Sequence, residues 1–151
     1  MSSRLDHHNS LLYGLPKYLT TKLQRIQNHA ARLVCRARKY EHIQPLLKTL
    51  HWLPVDARIK YKILLLTYKC IQGTAPEYLC QLLQRYRPAR PLRSEDQVLL
   101  RRGKPRTKTY GQRAFRNCAP ALPSQVRSID SLDSFKSAIK TYLFRIHFKC
   151  V

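Results

Sequence analysis

Apolar residues recur at helical spacing through the first 86 residues, and this periodicity constrains the fold more than any other feature of the chain. Between residues 15 and 36 the successive intervals are four, three, four and three, which place one row of side chains on the same face of an α-helix. We expect this face to be buried. The row consists of Leu19, Leu23, Ile26, Ala30 and Leu33.

Three further helices are expected in the same region. A short one should occupy residues 42–51, and Pro54 suits the first turn of the next, where a missing N–H costs nothing. This longer helix should be central to the core and end near Gly73, because glycine readily adopts the left-handed conformation that ends helices. A fourth helix is expected over residues 75–86, and short connections between four helices predict a bundle over residues 1–86. The inward side chains of the fourth helix should be Tyr78, Leu79, Leu82 and Leu83.

The composition changes after residue 86. Residues 87–127 are rich in arginine and lysine, and their prolines and glycines interrupt any long helix. We expect an extended basic arm, with a weak hairpin as the alternative if residues 97–100 pair with residues 106–110 around Gly103.

A C-terminal amphipathic helix is predicted within residues 128–151. It should begin near Asp130 or Ser131, which can cap exposed amide groups, and it should pack on the bundle. The predicted fold class is therefore mainly α, with a bundle of about four helices, a basic arm and this final helix. The buried row of the final helix should be Leu132, Phe135, Ile139, Tyr142, Leu143 and Ile146.

The charge of the chain is strongly one-sided. Twenty-nine lysines and arginines face eight aspartates and glutamates, for a formal net charge of +21. Repulsion of this size destabilises a compact state unless an anion screens it, and phosphate polymers bind such proteins by releasing condensed counterions. We expect RNA or DNA as the partner, contacted through phosphates.

Other partners and compartments fit the sequence less well. No stretch reaches the ~18 apolar residues of a spanning helix, so we expect no membrane insertion. The first residues contain no apolar secretory segment, and five scattered cysteines suit free thiols in a reducing compartment. These features predict an intracellular protein of the cytoplasm or nucleus.

Two groups of cations are the candidate phosphate contacts. On the first helix the basic residues follow the rhythm of the apolar row and form a second stripe. The competing interpretation is an ordinary solvated helix face and a flexible charged arm. The helix candidates are Lys22, Arg25, Arg32 and Arg36. The arm candidates are Arg101, Arg102, Lys104, Arg106 and Lys108.

No catalytic centre is expected in these residues. Polymerase and nuclease sites need clustered carboxylates to hold Mg²⁺, and only Glu95 and Asp96 are adjacent. His147 and Cys150 would supply only half of a zinc site, and no glycine-rich phosphate loop occurs. We therefore expect no metal, no cofactor and no small-molecule substrate.

Two blocks of sequence carry a family resemblance: residues 23–34, LQRIQNHAARLV, and residues 51–55, HWLPV. Together with residues 9–16 and 75–76, they resemble the C-terminal region of reverse transcriptases from non-LTR (LINE) retrotransposons of the jockey and chicken-repeat type. The resemblance extends over most of the chain. It departs from the family at residues 119–123, where the usual Trp-Asn pair is missing.

The resemblance implies that the polymerase palm, with its catalytic aspartates, lies upstream of these residues. The chain would then be the end of the thumb and the tail behind it, a fragment or relic of a longer reading frame. Such a tail is expected to hold template RNA or target DNA beside the palm of an RNA-directed DNA polymerase, without catalysis of its own. The alternative is a helical protein-interaction module, or a relic without a selected role, that once packed against the missing palm.

Overall fold

The structure, a computed structural model, describes residues 5–86, 100–101, 103–107, 109–119, 129 and 131–148. A 3₁₀ turn at Asn9–Leu12 precedes the first α-helix. The mainly α fold class is confirmed. The six helices within the described residues are α1 (Lys17–Cys35), α2 (Ile43–Thr49), α3 (Val55–Ile71), α4 (Glu77–Cys80), α5 (Phe115–Cys118) and α6 (Leu132–Phe148).

The chain divides into two compact units. Unit 1 comprises residues 1–62 and 140–151, and unit 2 comprises residues 63–139. Helices α3 and α6 therefore contribute residues to both units. The three segments expected from composition, 1–86, 87–127 and 128–151, remain a prediction.

The core of unit 1 is a small apolar cluster. Leu53, Ala57 and Leu143 are buried together. Helix α2 packs against α1 and buries Leu47. Burial of these side chains removes apolar surface from water, which is the main force that stabilises the unit. The aromatic residues packed around the cluster are Tyr61, Tyr142 and Phe144.

The core of unit 2 is built around two rings. Tyr68 stacks on Phe135 with the ring centroids 3.9 Å apart and an angle of 22° between the planes. Phe135 and Ile139 have no solvent exposure, so the first half of α6 is a core segment of this unit. Helix α3 ends as expected just before Gly73, which has a φ of 70°. The burial of Ile63, Leu64 and Tyr68 confirms that α3 is a core helix.

The predicted buried face of α1 is partly wrong. Ile26 and Leu33 are 49% and 76% exposed. The buried side is rotated away from them because its polar side chains bond to a distant turn and its alanines allow close packing, which a count of large apolar residues does not register. The buried residues of α1 are Thr20, Gln27, Ala30 and Ala31.

The predicted fourth helix is too long. Helix α4 is a single turn, and Tyr78 and Leu82 are 67% and 43% exposed. The chain leaves the helix because an extended pairing begins soon afterwards: Arg101 N–H donates to the carbonyl oxygen of Gln84 at 2.8 Å.

The same pairing gives Leu100 a different partner from the one in the predicted hairpin. Leu100 forms an isolated antiparallel bridge with Arg85, whereas the sequence predicts a pairing of residues 97–100 with residues 106–110. Residues 97–99 lie outside the described residues. The hydrogen-bond partner of Arg101 is Gln84, which precedes the arm. This pairing needs no N–H from Pro105, which has none to donate.

The C-terminal helix is confirmed, with one error in its buried row. It begins after Ser131, whose carbonyl oxygen accepts the N–H of Phe135 at 2.9 Å, and Asp130 lies outside the described residues. Ile146 is 59% exposed, contrary to expectation. Phe144 is half-buried instead, because it packs against the unit 1 cluster from the neighbouring side of the helix.

Candidate nucleic-acid interface

One side of α1 carries a row of exposed basic residues, which we call the basic face. It consists of Lys22, Arg25, His29 and Arg36. Steps of three and four residues bring Lys22, Arg25 and His29 into line along the helix, opposite the buried Gln27. Arg36 ends the helix in the left-handed conformation, with a φ of 51°. The basic face therefore runs along most of the helix.

Two glutamines on the buried side fix the rotation of α1. Gln27 Nε2 donates to the carbonyl oxygen of Leu53 at 2.8 Å, and Gln24 Oε1 accepts from Val55 N–H at 2.9 Å. Gln24 is itself oriented because its Nε2 donates to Asn28 Oδ1 at 2.8 Å. Val55 is the first residue of α3, so Gln24 satisfies an amide that the helix cannot. These bonds connect residues 23–34 with residues 51–55 and turn the basic face outward.

The carbonyl oxygen of Leu53 has a second donor. Arg58 Nε donates to it at 2.9 Å, and Arg58 Nη1 forms an ion pair with Asp6 Oδ2 at 2.8 Å. The side chain of Arg58 is only 14% exposed, so its charge needs this counterion. Asp6, one of the eight acidic residues of the chain, therefore forms an ion pair within the protein.

Arg32 differs from the other three α1 candidates. It is half-buried, and its Nη2 donates to the carbonyl oxygen of Glu41 at 3.2 Å. Its Nε is buried without a hydrogen-bond partner within the described residues. Arg32 therefore stabilises the loop that follows α1 through its hydrogen bond to Glu41. The other three candidates, Lys22, Arg25 and Arg36, are exposed.

The exposed lysine and arginines of the basic face form no ion pair with a described carboxylate. Within the described residues, no carboxylate lies within 4.0 Å of Lys22, Arg25 or Arg36. Asp56 lines a small cleft of about 270 Å³ together with Arg25, but the two form no ion pair. A second, anionic molecule could therefore neutralise these charges without breaking an internal contact.

The arm candidates are described only in part. Arg101, Lys104 and Arg106 are exposed. Arg102 and Lys108 lie outside the described residues.

Two of the arm cations line an open cleft in unit 2, which we call the basic cleft. Its volume is about 990 Å³, at the upper end of typical ligand sites. It brings three cations together with an aromatic ring and two amides. The residues that define it are Gln84, Tyr86, Arg101, Lys104, Arg116 and Asn117.

Local contacts hold the walls of the basic cleft. The bond from Arg101 N–H to the Gln84 carbonyl oxygen joins one wall, and Asn117 Nδ2 donates to the carbonyl oxygen of Gly111 on another. Gly103 passes so close that an added Cβ would lie 2.8 Å from Asn117 Oδ1 and 3.5 Å from Arg116 Nε. The absence of a side chain at Gly103 therefore lets the arm approach α5.

Sequence reasoning missed several of these residues. Arg116 lies within the predicted arm of residues 87–127, three residues beyond Arg113, but it was not among the arm candidates. No sequence pattern predicted the roles of Gln24, Gln27 and Asn117. Each forms a hydrogen bond with a backbone atom, and the partners of the two glutamines lie 31 and 26 residues away.

Two buried thiols, Cys70 and Cys118, are poorly suited to nucleophilic chemistry. Burial and the neighbouring Cys80 thiol raise the pKa of Cys70 from an ordinary 9.0 to about 11. Burial also raises the pKa of Cys118. Both thiols stay protonated at neutral pH, and a protonated thiol is a poor nucleophile. No group of three or more His, Cys, Asp or Glu side chains suited to a metal ion occurs in the described part of the chain.

Comparisons with known proteins found no matching family model, no matching curated protein and no matching solved structure. Among the residues described, every helix is too short or too polar to cross a bilayer.

Proposed function

We propose that this protein binds RNA or DNA through phosphate contacts made by the basic face of α1. The observation that carries the proposal is the exposure of Lys22 and Arg25 on α1 and of Arg36 at its C-terminal end, with no carboxylate within 4.0 Å in the described ranges. Cations displayed in this way release condensed counterions when they meet a polyphosphate. The net charge of +21 supports the same partner.

The resemblance to LINE reverse transcriptases suggests the setting for this activity. We propose that the chain is the thumb and tail region of such a polymerase, acting in the cytoplasm or nucleus. In that setting it holds template RNA or target DNA while the palm performs RNA-directed DNA synthesis. The chain itself contributes binding and no catalysis.

A specific observation favours one alternative, a helical protein-interaction module. Ile26 and Leu33 are exposed on α1, beside the basic face. Exposed apolar patches often mark contacts with another protein. Sizing chromatography separates the two: a monodisperse monomer favours the nucleic-acid module, and association that Ile26→Ser and Leu33→Ser abolish favours the interaction module.

Salt-dependent binding tests the main proposal. If about five phosphates of a duplex are neutralised, the logarithm of affinity should fall against the logarithm of salt concentration with a slope of about −4 to −5. Removing three contacts through Lys22→Gln, Arg25→Gln and Arg36→Gln should make that slope shallower by about 3.

The control variant loses the same charge elsewhere. Lys48→Gln, Lys60→Gln and Lys140→Gln replace exposed lysines outside both candidate sites. We expect this control to retain most of the wild-type slope. A slope near zero for the wild-type protein, or equal losses in the two triple variants, would reject the basic face as the binding surface.

A further inference from the structure

The basic cleft of unit 2 combines groups that have different tasks in nucleic-acid recognition. Arg101, Lys104 and Arg116 supply positive charge, and none of the residues that line the cleft within the described chain is acidic. Tyr86 supplies an aromatic ring that is 48% exposed. Cations beside an exposed ring form the usual surface for single strands, since the charge follows the backbone and the ring stacks on a base.

The exposed ring of Tyr86 favours an unpaired nucleotide over a duplex. In a duplex the bases stack on one another and present only their edges, so a tyrosine ring has no free base face to contact. A volume of about 990 Å³ is ample for a base with its adjoining phosphates. Hydrogen bonds within the unit hold Arg101 to Gln84 and Asn117 to Gly111.

We propose that the basic cleft is a binding site for single-stranded nucleic acid. Tyr86 stacks on one base, while Arg101, Lys104 and Arg116 contact the flanking phosphates. This inference deepens the proposed nucleic-acid function by naming the form of nucleic acid that the cleft accepts, and it rests on that function. The basic face of α1 also has exposed rings in line with its cations, at Tyr18 and His29, but the phosphate contacts proposed there need no unpaired base.

The test compares single strands with a duplex. Fluorescein-labelled oligo(U), oligo(dT) and a mixed-sequence duplex are titrated by anisotropy at matched salt, with single strands about ten nucleotides long, within the usual site sizes of about 4–16. We expect Tyr86→Ala to weaken binding of single strands about 5- to 150-fold, the factor that corresponds to the usual range for one stacked base. Duplex affinity should not change.

Two further variants isolate the role of the ring. Tyr86→Phe keeps the aromatic face and should retain single-strand affinity to within about twofold, because stacking does not need the hydroxyl. Tyr40→Ala removes a tyrosine that is 90% exposed and outside the cleft, and it should behave as wild type. Arg116→Gln tests the phosphate contact. It should weaken single-strand binding and reduce its salt slope by about 0.7, the value for one phosphate on a single strand.

A second measurement does not depend on the folding of any variant. Oligo(U) that carries 5-iodouridine is cross-linked to the wild-type protein by light, and the attached peptide is identified by mass spectrometry. Attachment at Tyr86 supports the proposal. Attachment confined to α1, or equal losses of duplex and single-strand binding in Tyr86→Ala, overturns it.

The outcomes separate this proposal from the one on which it rests. If the α1 triple variant loses duplex binding and Tyr86→Ala has no effect on single strands, the basic face stands and the cleft proposal fails. If Tyr86→Ala weakens single-strand binding and the α1 triple variant changes nothing, the cleft stands and the role of the basic face fails. Absence of binding to every oligonucleotide at low salt rejects both.

Discussion

The glutamines on the buried side of α1 form a matched pair for testing why the basic face points outward. Gln24 accepts a hydrogen bond from Val55 N–H, whereas Gln27 donates one to the carbonyl oxygen of Leu53. An ionised carboxylate accepts but cannot donate. Gln24→Glu should therefore be tolerated and Gln27→Glu should not, although both changes add one negative charge.

The structure sets the expected size of each effect. A carboxylate introduced by Gln24→Glu would lie at the first residue of α3, where a negative charge is favourable by about 0.3–1 kcal/mol. It would lose the donor that now bonds to Asn28 Oδ1, so the net change should be within about 1 kcal/mol of zero. The carboxylate of Gln27→Glu would be 1% exposed and could not donate to Leu53, although Arg58, which donates to the same carbonyl oxygen, would offset part of its charge. We expect a loss of about 2–4 kcal/mol, or a fall in Tm of roughly 4–16 °C.

Urea unfolding followed by circular dichroism at pH 7 measures both variants. Gln44→Glu, at an exposed position of α2, is the control for added charge and should leave the free energy of unfolding nearly unchanged. At low pH the introduced carboxyl group of Gln27→Glu is protonated and regains a donor, so the deficit of this variant should shrink. Equal losses in the Gln24 and Gln27 variants, or wild-type stability of Gln27→Glu, would refute the argument that these bonds set the rotation of α1.

Two further predictions concern charge and thiols. Asp6→Asn should lower the free energy of unfolding by about 1 kcal/mol, because Arg58 would remain 14% exposed without its counterion. Asp133→Asn at an exposed pair should cost at most about 0.5 kcal/mol, and equal losses of the two variants in urea unfolding would contradict the prediction. Cys70, with its pKa raised to about 11, should be alkylated by iodoacetamide at pH 8 about 100-fold more slowly in the folded than in the urea-unfolded protein, as quantified by mass spectrometry. The stability linked to this thiol is fully present below pH 9 and is lost as the pH rises through about 11. Equal alkylation rates in the folded and the urea-unfolded protein would contradict the raised pKa of Cys70.

Much of the helical architecture could be predicted from sequence, because apolar periodicity reports which residues can share a face. It located α1, α2, α3 and α6. It failed where polar or small side chains are buried: Gln27 is 1% exposed, while Leu33 is 76% exposed. The reason is that the partner of Gln27 lies 26 residues away, and no local pattern records such a bond.

The two candidate sites also differ in how far the sequence predicts them. The basic face could be predicted because Lys22 and Arg25 lie on one helix and Arg36 directly follows it, so local spacing brings them together. The basic cleft could not, because it needs Arg101 to pair with Gln84 and α5 to bring Arg116 alongside. Sites within one element are visible in a sequence, whereas sites between elements depend on tertiary contacts.

The contacts that join Gln24 and Gln27 to residues 53–55 close a loop of 26–31 residues. The entropy of closing a flexible loop grows only with the logarithm of its length, so even doubling the loop adds about 0.6 kcal/mol. The exposed residues between α1 and α2 are accordingly the place where this chain should accept an inserted peptide tag. A natural insertion there would likewise leave the hydrogen bonds between the two blocks intact.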